Sequence, residues 1–398
     1  MSTTTTLREV GLQIADSASL GDAFGTLLGT RTAAPILLGL GEPTHGIEAF
    51  PLLRNEILGH LVENGYRSVI LETDFFAASI VDDYIAGGTA ELDTVLATGF
   101  SHGFGSAPGN RELVEWLRAY NDGRAPRDRV RFYGFDGPVE YAGAPSPRAA
   151  LARVIDYLPA GFRPASAHDI DDLLGPDADW TNPAAMYDPA ASIGGSESAR
   201  ALRITADDLV SAVRRAAPVL RPADPDGYDT ALAHARTALA LLRYHAAMAE
   251  PGPDRISLLL SLRAEMMADN LSAITAREQE RGPGLVFAHN SHLRHGSDEA
   301  SWANAGALVG LALAERYLFV ATDATLDCTP GTLQHALAEA TDQRALFPAA
   351  AVRSALPAST GTAKPIVPGH IPLNPGDLDG TEAVIFLTGV DGTQHQYW

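Results

Sequence analysis

The sequence predicts an α/β fold in which a mostly parallel central sheet is flanked by helices and interrupted by a large helical insertion. Three observations lead there: short β-branched runs that are apolar throughout, helical periodicity between the first of those runs, and a long middle stretch with no strand signal. The runs are Ile36–Leu38, Ser68–Leu71, Val130–Tyr133, Leu285–Ala288, Tyr317–Val320 and Ala383–Leu387. Strands covered on both faces lose the polar alternation of half-exposed strands, so continuous apolar runs favour a parallel sheet.

Between the first two runs, Phe50, Leu53, Ile57, Leu58, Leu61 and Val62 recur at helical spacing until Gly65 ends the pattern. Residues 36–71 therefore read as a βαβ unit. A second unit runs through 77–85 and 111–120 to the strand at Val130. From about Pro147 to Arg281 the chain carries amphipathic stretches rich in Ala, Leu and Arg, at 206–220, 228–250 and 256–277. The expected organisation is thus a core in two parts, 1–146 and 282–398, with a helical insertion at 147–281, together one composite catalytic domain. The segment 175–198, rich in Pro, Asp, Gly and Ser, reads as a loop, bordering a cleft or lying on the surface.

Charge narrows the function. A formal net charge of -20 with only 29 Lys and Arg in 398 residues argues against a nucleic-acid partner, because phosphate recognition needs concentrated cations. The single cysteine, Cys328, excludes an internal disulfide and any multi-cysteine zinc site, and reads as an inert small hydrophobe. The first residues, Met1–Thr6, have no basic run, and no stretch approaches the roughly 20 apolar residues of a membrane span. A cytoplasmic protein without membrane contact is expected; its oligomeric state is not assigned.

In parallel sheets, ligands collect at the carboxyl ends of the strands. Here those ends are polar. The first strand runs into Gly41-Glu42-Pro43-Thr44-His45-Gly46, the second into Glu72, the third into Gly134-Phe135-Asp136, and the fourth into His289-Asn290-Ser291-His292. Each has an ordinary explanation by itself: Glu42 or Asp136 capping a helix, Glu72 pairing with a surface arginine, His289 as a satisfied core histidine. Together they read differently, since clustering ionisable groups at one sheet edge is costly without a task.

The residue types suggest proton transfer. A histidine can take a proton from water near neutral pH while a carboxylate fixes its tautomer, which makes His45 the candidate general base and Glu42 or Glu72 its partner. Arg54, on the following helix, is a candidate to support a carboxylate or an oxyanion, with a surface salt bridge as the alternative. No Gly-x-Ser-x-Gly elbow is present, and only Thr44 and Ser291 offer hydroxyls beside these histidines. Activated water is the simpler nucleophile. No cofactor is expected; the rival is zinc or another divalent metal held by His45, His289 and His292 with Glu42, Glu72 and Asp136. Gly103-Phe104-Gly105 lacks the strand context of a phosphate loop. His102 and His295 are placed at the mouth of a cleft, whereas His60, His168, His234, His335, His370 and His395 read as exposed.

These segments, with Leu117-Arg118-Ala119-Tyr120-Asn121, Phe132-Tyr133 and Arg263, Met267 and Asn270, resemble the erythromycin esterases and their relatives in order and rough spacing over most of the chain. The resemblance implies an α/β core whose helical portion forms one wall of a deep cleft, and lactone hydrolysis by water activated on a histidine. Carried over by position, His45 is the base, with Glu42, Arg54, Glu72, His289 and His292 as the rest of the polar centre. Asp136, Asn290 and His102 are the candidate substrate-binding residues.

Two segments depart from the family pattern. Phe100-Ser101-His102-Gly103-Phe104-Gly105-Ser106 stands where many relatives carry tryptophan, and Ala264 where an acidic residue often follows the arginine. They bear on the substrate and leave the base in place; the substrate that the resemblance implies is an ester or lactone of a small polyketide or macrolide, in natural-product biosynthesis or antibiotic resistance. The alternative keeps the base but drives cyclisation, elimination or acyl transfer; a third reading is a ligand-sequestering module.

Overall fold

A computed structural model describes residues 3–139, 143–296, 303–326 and 329–396, with the side chains of 3–5 left aside. Cys328 lies outside the described residues. The chain divides into two compact units, Met1–Asp136 with Leu271–Trp398, and Gly137–Asn270. The division falls ahead of the 147 and 281 expected from composition, because the chain leaves the sheet directly after Asp136.

The first unit holds one eight-stranded sheet: β1 Leu12–Ile14, β2 Leu37–Glu42, β3 Ser68–Asp74, β4 Arg131–Asp136, β5 Gly284–His289, β6 Tyr317–Ala324, β7 Arg344–Pro348 and β8 Ala383–Leu387. Their order is β1-β7-β8-β6-β2-β5-β3-β4. The five pairings from β8 to β4 are parallel. Only β7 runs against the rest, pairing antiparallel with β1 and β8. Every residue of β2, β5 and β6 is buried, which explains their uninterrupted apolar character. The core beneath them includes Leu38, Leu40, Phe50, Leu53, Ile57, Val69, Leu113, Leu285 and Leu318.

Two strands escape the sequence reading. β1 has three residues, and β7 has three buried positions between an arginine and a proline, too short for a period to declare itself. β4 also runs to Asp136, which puts that carboxylate inside the strand.

Gly41 is required by packing. A Cβ there would lie 2.1 Å from Asn290 Oδ1, so only glycine lets the Asn290 side chain sit against β2.

The second unit has no strand among its described residues. Its long helices, Glu197–Ala223 and Pro225–Met248, are joined at Asp224, whose side chain accepts from Gly227 N and caps the second helix. Leu151, Val154, Leu202, Leu209, Val213 and Leu242 form its core. The 175–198 segment, expected as a loop, is a string of short helical turns, Asp177–Trp180, Pro183–Met186, Pro189–Ala191 and Ile193–Gly195. Buried Trp180 anchors it, donating from Nε1 to Leu174 O at 2.7 Å. Among the described residues, no helix is long and apolar enough to cross a membrane.

Candidate active site

The site builds outward from the register of two central strands. β2 and β5 are parallel neighbours in which Glu42 stands opposite His289, each the last residue of its strand. β3 lies on the other side of β5 and carries Glu72 just past the last paired position, Leu71 with Phe287. Three sheet positions thereby deliver two carboxylates and an imidazole to one edge, all of them buried.

His45 sits three residues beyond Glu42 in the turn before the helix Ala49–Glu63. Its Nδ1 is 2.8 Å from Glu42 Oε1, the geometry in which a carboxylate accepts from a protonated Nδ1. Nε2 points toward Glu72, whose Oε2 is 3.8 Å away, too long for a direct hydrogen bond. Burial raises the pKa of the Glu42 carboxyl, and the hydrogen bond from His45 opposes that rise.

His289 is held at both nitrogens. Nε2 donates to Pro43 O at 2.9 Å, while Nδ1 lies 2.7 Å from the Ser291 hydroxyl and accepts from Ser291 N at 3.2 Å. Burial pushes its pKa down to about 3, with the nearby His45 and His292 adding to the drop, so the ring is neutral. The Glu72 carboxylate accepts from His289 N at 2.9 Å and lies 3.2 Å from His292 Nε2. Among the described residues, His292 Nδ1 is buried without a hydrogen-bond partner.

Arg54 reaches the same edge from the helix Ala49–Glu63. It is 1% exposed and splayed over fixed acceptors, with Nη1 donating to Asn110 Oδ1 at 2.8 Å and Nη2 to Gly109 O at 3.0 Å and Asn55 Oδ1 at 2.7 Å. Its guanidinium lies 5.0 Å from the centroid of the Phe287 ring. Glu42, His45, Arg54 and Glu72, closed in by Leu71, Phe100, Phe104 and Phe287, line a cavity of about 30 Å³. That is room for water.

A second imidazole–carboxylate couple lies beside the first. His102 Nε2 is 2.9 Å from Asp136 Oδ2, and the Asp136 carboxylate is fully buried. His102 adopts φ 56°, a left-handed conformation uncommon for a non-glycine residue. The Phe104 ring links the two couples, its centroid 4.9 Å from the His45 ring and 5.4 Å from the His102 ring. Burial raises the pKa of Asp74, and the adjacent Asp136 adds to it.

The structure thus brings Glu42, His45, Arg54, Glu72, His289 and His292 together, with His102 and Asp136 alongside. It does not bring Asn290 into the cavity. That side chain donates to Thr322 O at 2.9 Å and packs over Gly41, tying the end of β5 to β6 and β2. His295, expected at the cleft mouth, packs on Tyr317 and lies 3.2 Å from Glu382, at the starts of β6 and β8 and so at the opposite edge of the sheet. His370, expected exposed, is buried, with Nε2 3.2 Å from Asp323 Oδ1 and Nδ1 accepting from Ile366 N. Among the described residues, no group of three or more His, Cys, Asp or Glu side chains is arranged to hold a metal ion. Sequence reasoning missed Phe104 and Asn110; the glycines around Phe104 marked a turn without revealing what it faces.

A protein from Bacillus cereus of solved structure is 16% identical to this chain, with a TM-score of 0.72 over 97% of this chain and 96% of its own. A succinoglycan biosynthesis protein is 15% identical, with a TM-score of 0.62 over the same shares. A variant of the erythromycin esterase EreC, in its open conformation, is 16% identical, with a TM-score of 0.66 over 96% of each chain. These likenesses establish the fold. The family model for erythromycin esterase matches residues 61–354, a span that holds Glu72, His102, Asp136, His289 and His292 and begins after Glu42, His45 and Arg54. With most of its length matched, the chain belongs to the erythromycin esterase family.

Proposed function

We propose that this chain hydrolyses an ester or macrolactone of a small, largely apolar natural product, with His45 as the base that activates water. The observation that carries the reading is the pairing of a tautomer-fixed imidazole with a cavity of about 30 Å³ that His45 shares with Glu72 and Arg54. A gap of 3.8 Å between His45 Nε2 and Glu72 Oε2 is one that a water bridges.

In the proposed reaction, His45 Nε2 takes a proton from that water while Glu72 orients it. The hydroxide oxygen bonds to the substrate carbonyl carbon, and the carbonyl oxygen becomes an oxyanion. Arg54 and His292 stabilise that charge, in surroundings where aromatic rings exclude bulk water. The carbon–oxygen bond to the alcohol then breaks, and the imidazolium returns its proton to the departing alkoxide. His289, neutral and engaged at both nitrogens, holds the turn through Pro43 rather than moving a proton. His102 contacts the substrate, its ring oriented by the buried Asp136 carboxylate. No metal takes part, and the chain acts in the cytoplasm without a nucleic-acid or membrane partner.

The test is incubation with macrolides and simple esters in ¹⁸O-labelled water. One labelled oxygen in a new carboxylate is the expected result, together with a loss of roughly 10²-fold or more in His45→Ala. Conversion without label overturns hydrolysis in favour of rearrangement or acyl transfer, and recovery of unchanged ligand in favour of sequestration.

A further inference from the structure

His45 lies in a turn without regular secondary structure, so its position depends on what holds the turn. The Pro43 carbonyl accepts from His289 Nε2 and from Ile371 N, both at 2.9 Å. The two carbonyls that follow His45 and Gly46 are held by the far end of the chain. Gln394 Nε2 donates to His45 O at 2.9 Å and to Pro368 O at 3.2 Å, and His395 N donates to Gly46 O at 2.8 Å. Gly46 has φ 89°, and a Cβ on it would lie 2.5 Å from His395 O, so the two segments are in close backbone contact.

The same segment reaches the second histidine loop. His395 Nε2 is 3.1 Å from the Ser106 hydroxyl, two residues after Phe104, whose ring packs against both His45 and His102. Before the contact, Val390 is buried and Asp391 Oδ1 accepts from Thr393 N, which fixes the approach of the segment.

We propose that residues 390–395 form a strap that positions His45 against Glu42 and ties the loop carrying His102 and Phe104 to the same turn, with Gln394 as the positioning residue. The proposal rests on His45 being the base. A misplacement of about 1 Å in a reacting group can cost about 10²-fold in rate, and the strap supplies donors to a turn that lacks its own ladder.

Gln394→Ala removes the donor, and Gln394→Glu keeps the length while replacing the amide by a carboxylate. Both are expected to lower kcat by roughly tenfold or more with KM within about twofold. Both are also expected to speed hydrogen exchange of the His395 amide, which donates to Gly46 O, over the wild-type protein, with exchange in the sheet unchanged. Exchange of that amide equal to wild type overturns the strap, and so does faster exchange with unchanged kcat. If the wild-type protein hydrolyses no ester, the hydrolytic reading fails, and exchange alone then decides whether the strap holds the turn.

Discussion

His45 Nδ1 and Glu42 Oε1 are 2.8 Å apart, and because Glu42 closes β2 while His45 lies in the turn behind it, this contact joins the end of the sheet to the turn that carries the proposed base. A buried carboxylate in that place does two things. In the proposed mechanism it chooses the tautomer that leaves Nε2 basic, and it offsets the positive charge that would develop when Nε2 takes a proton.

Glu42→Gln separates these roles from stability. The carboxyl has a raised pKa because burial disfavours its charged form, so ionising it costs the folded state as pH rises through the interval between its unfolded and folded pKa values. The neutral amide carries no such cost. Glu42→Gln is therefore expected to unfold at the same or a higher denaturant concentration near neutral pH, while kcat falls roughly 10²-fold or more. Urea titration beside steady-state kinetics checks both; a variant with wild-type kcat refutes the tautomer role.

His289 predicts acid sensitivity. A buried imidazole whose pKa falls from 6.5 to about 3 stays neutral in the folded protein, while the unfolded chain binds a proton below about 6.5. Stability is therefore fully present above that pH and is lost as pH falls from about 6.5 toward 3, by up to about 1.4 kcal/mol per pH unit for this one group. His234, lowered to about 4, and His245 act in the same direction. Gln at 289 can still donate to the Pro43 carbonyl but does not titrate. His289→Gln is expected to show a shallower fall of unfolding free energy between pH 6 and 4 (roughly) than the wild type. Equal slopes would mean that His289 is charged in the native protein.

What the sequence revealed follows from where physics pins residues. Glu42, Glu72 and His289 were legible because the carboxyl end of a parallel strand is a place that local pattern alone can locate. His295 was misplaced: it follows His292 closely in sequence, but its backbone N–H donates to Gly380 O, carrying the chain to the other edge of the sheet. The packing of Asn290 was not legible because the glycine that receives it, Gly41, lies in another strand. Gln394 left no trace, being 349 residues from its acceptor, His45. Burial of His370 likewise depends on a long-range partner, Asp323 at the end of β6, which also accepts from Gln334 Nε2 and Leu373 N. Such contacts carry no periodicity, and one sequence does not encode them locally.

Metal removal addresses the rival that the residue types raised. Of the three candidate histidines, His289 has both ring nitrogens in hydrogen bonds, and His45 Nδ1 is bound to Glu42. Ligation by His289 would fall on Nδ1, the nitrogen that carries the lone pair, and would displace its contacts with Ser291. Dialysis against a chelator is expected to leave kcat and the unfolding midpoint unchanged, and elemental analysis to find no stoichiometric zinc. Activity lost with the metal and restored by zinc alone would replace the imidazole base with a metal-bound hydroxide.

Arg54 supplies the sharpest case of shape against charge. Arg54→Lys retains the positive charge but not the planar fork that bridges Asn110, Gly109 and Asn55 and lies over Phe287. An ammonium in that buried place satisfies fewer acceptors, leaving Asn110 Oδ1 or Gly109 O unpaired, at about 1–3 kcal/mol for each buried group stranded. The oxyanion role asks only for charge near the cavity, whereas the bracing role asks for geometry. If bracing dominates, Arg54→Lys lowers unfolding free energy by a few kcal/mol and kcat by roughly 10-fold or more, and Arg54→Met lowers both further. Retained stability, with kcat kept in Arg54→Lys and strongly reduced in Arg54→Met, would instead assign Arg54 to charge stabilisation in the transition state alone. The expectation is loss of both, because the hydrogen bonds that hold the guanidinium are the same ones that aim its charge at the space beside His45.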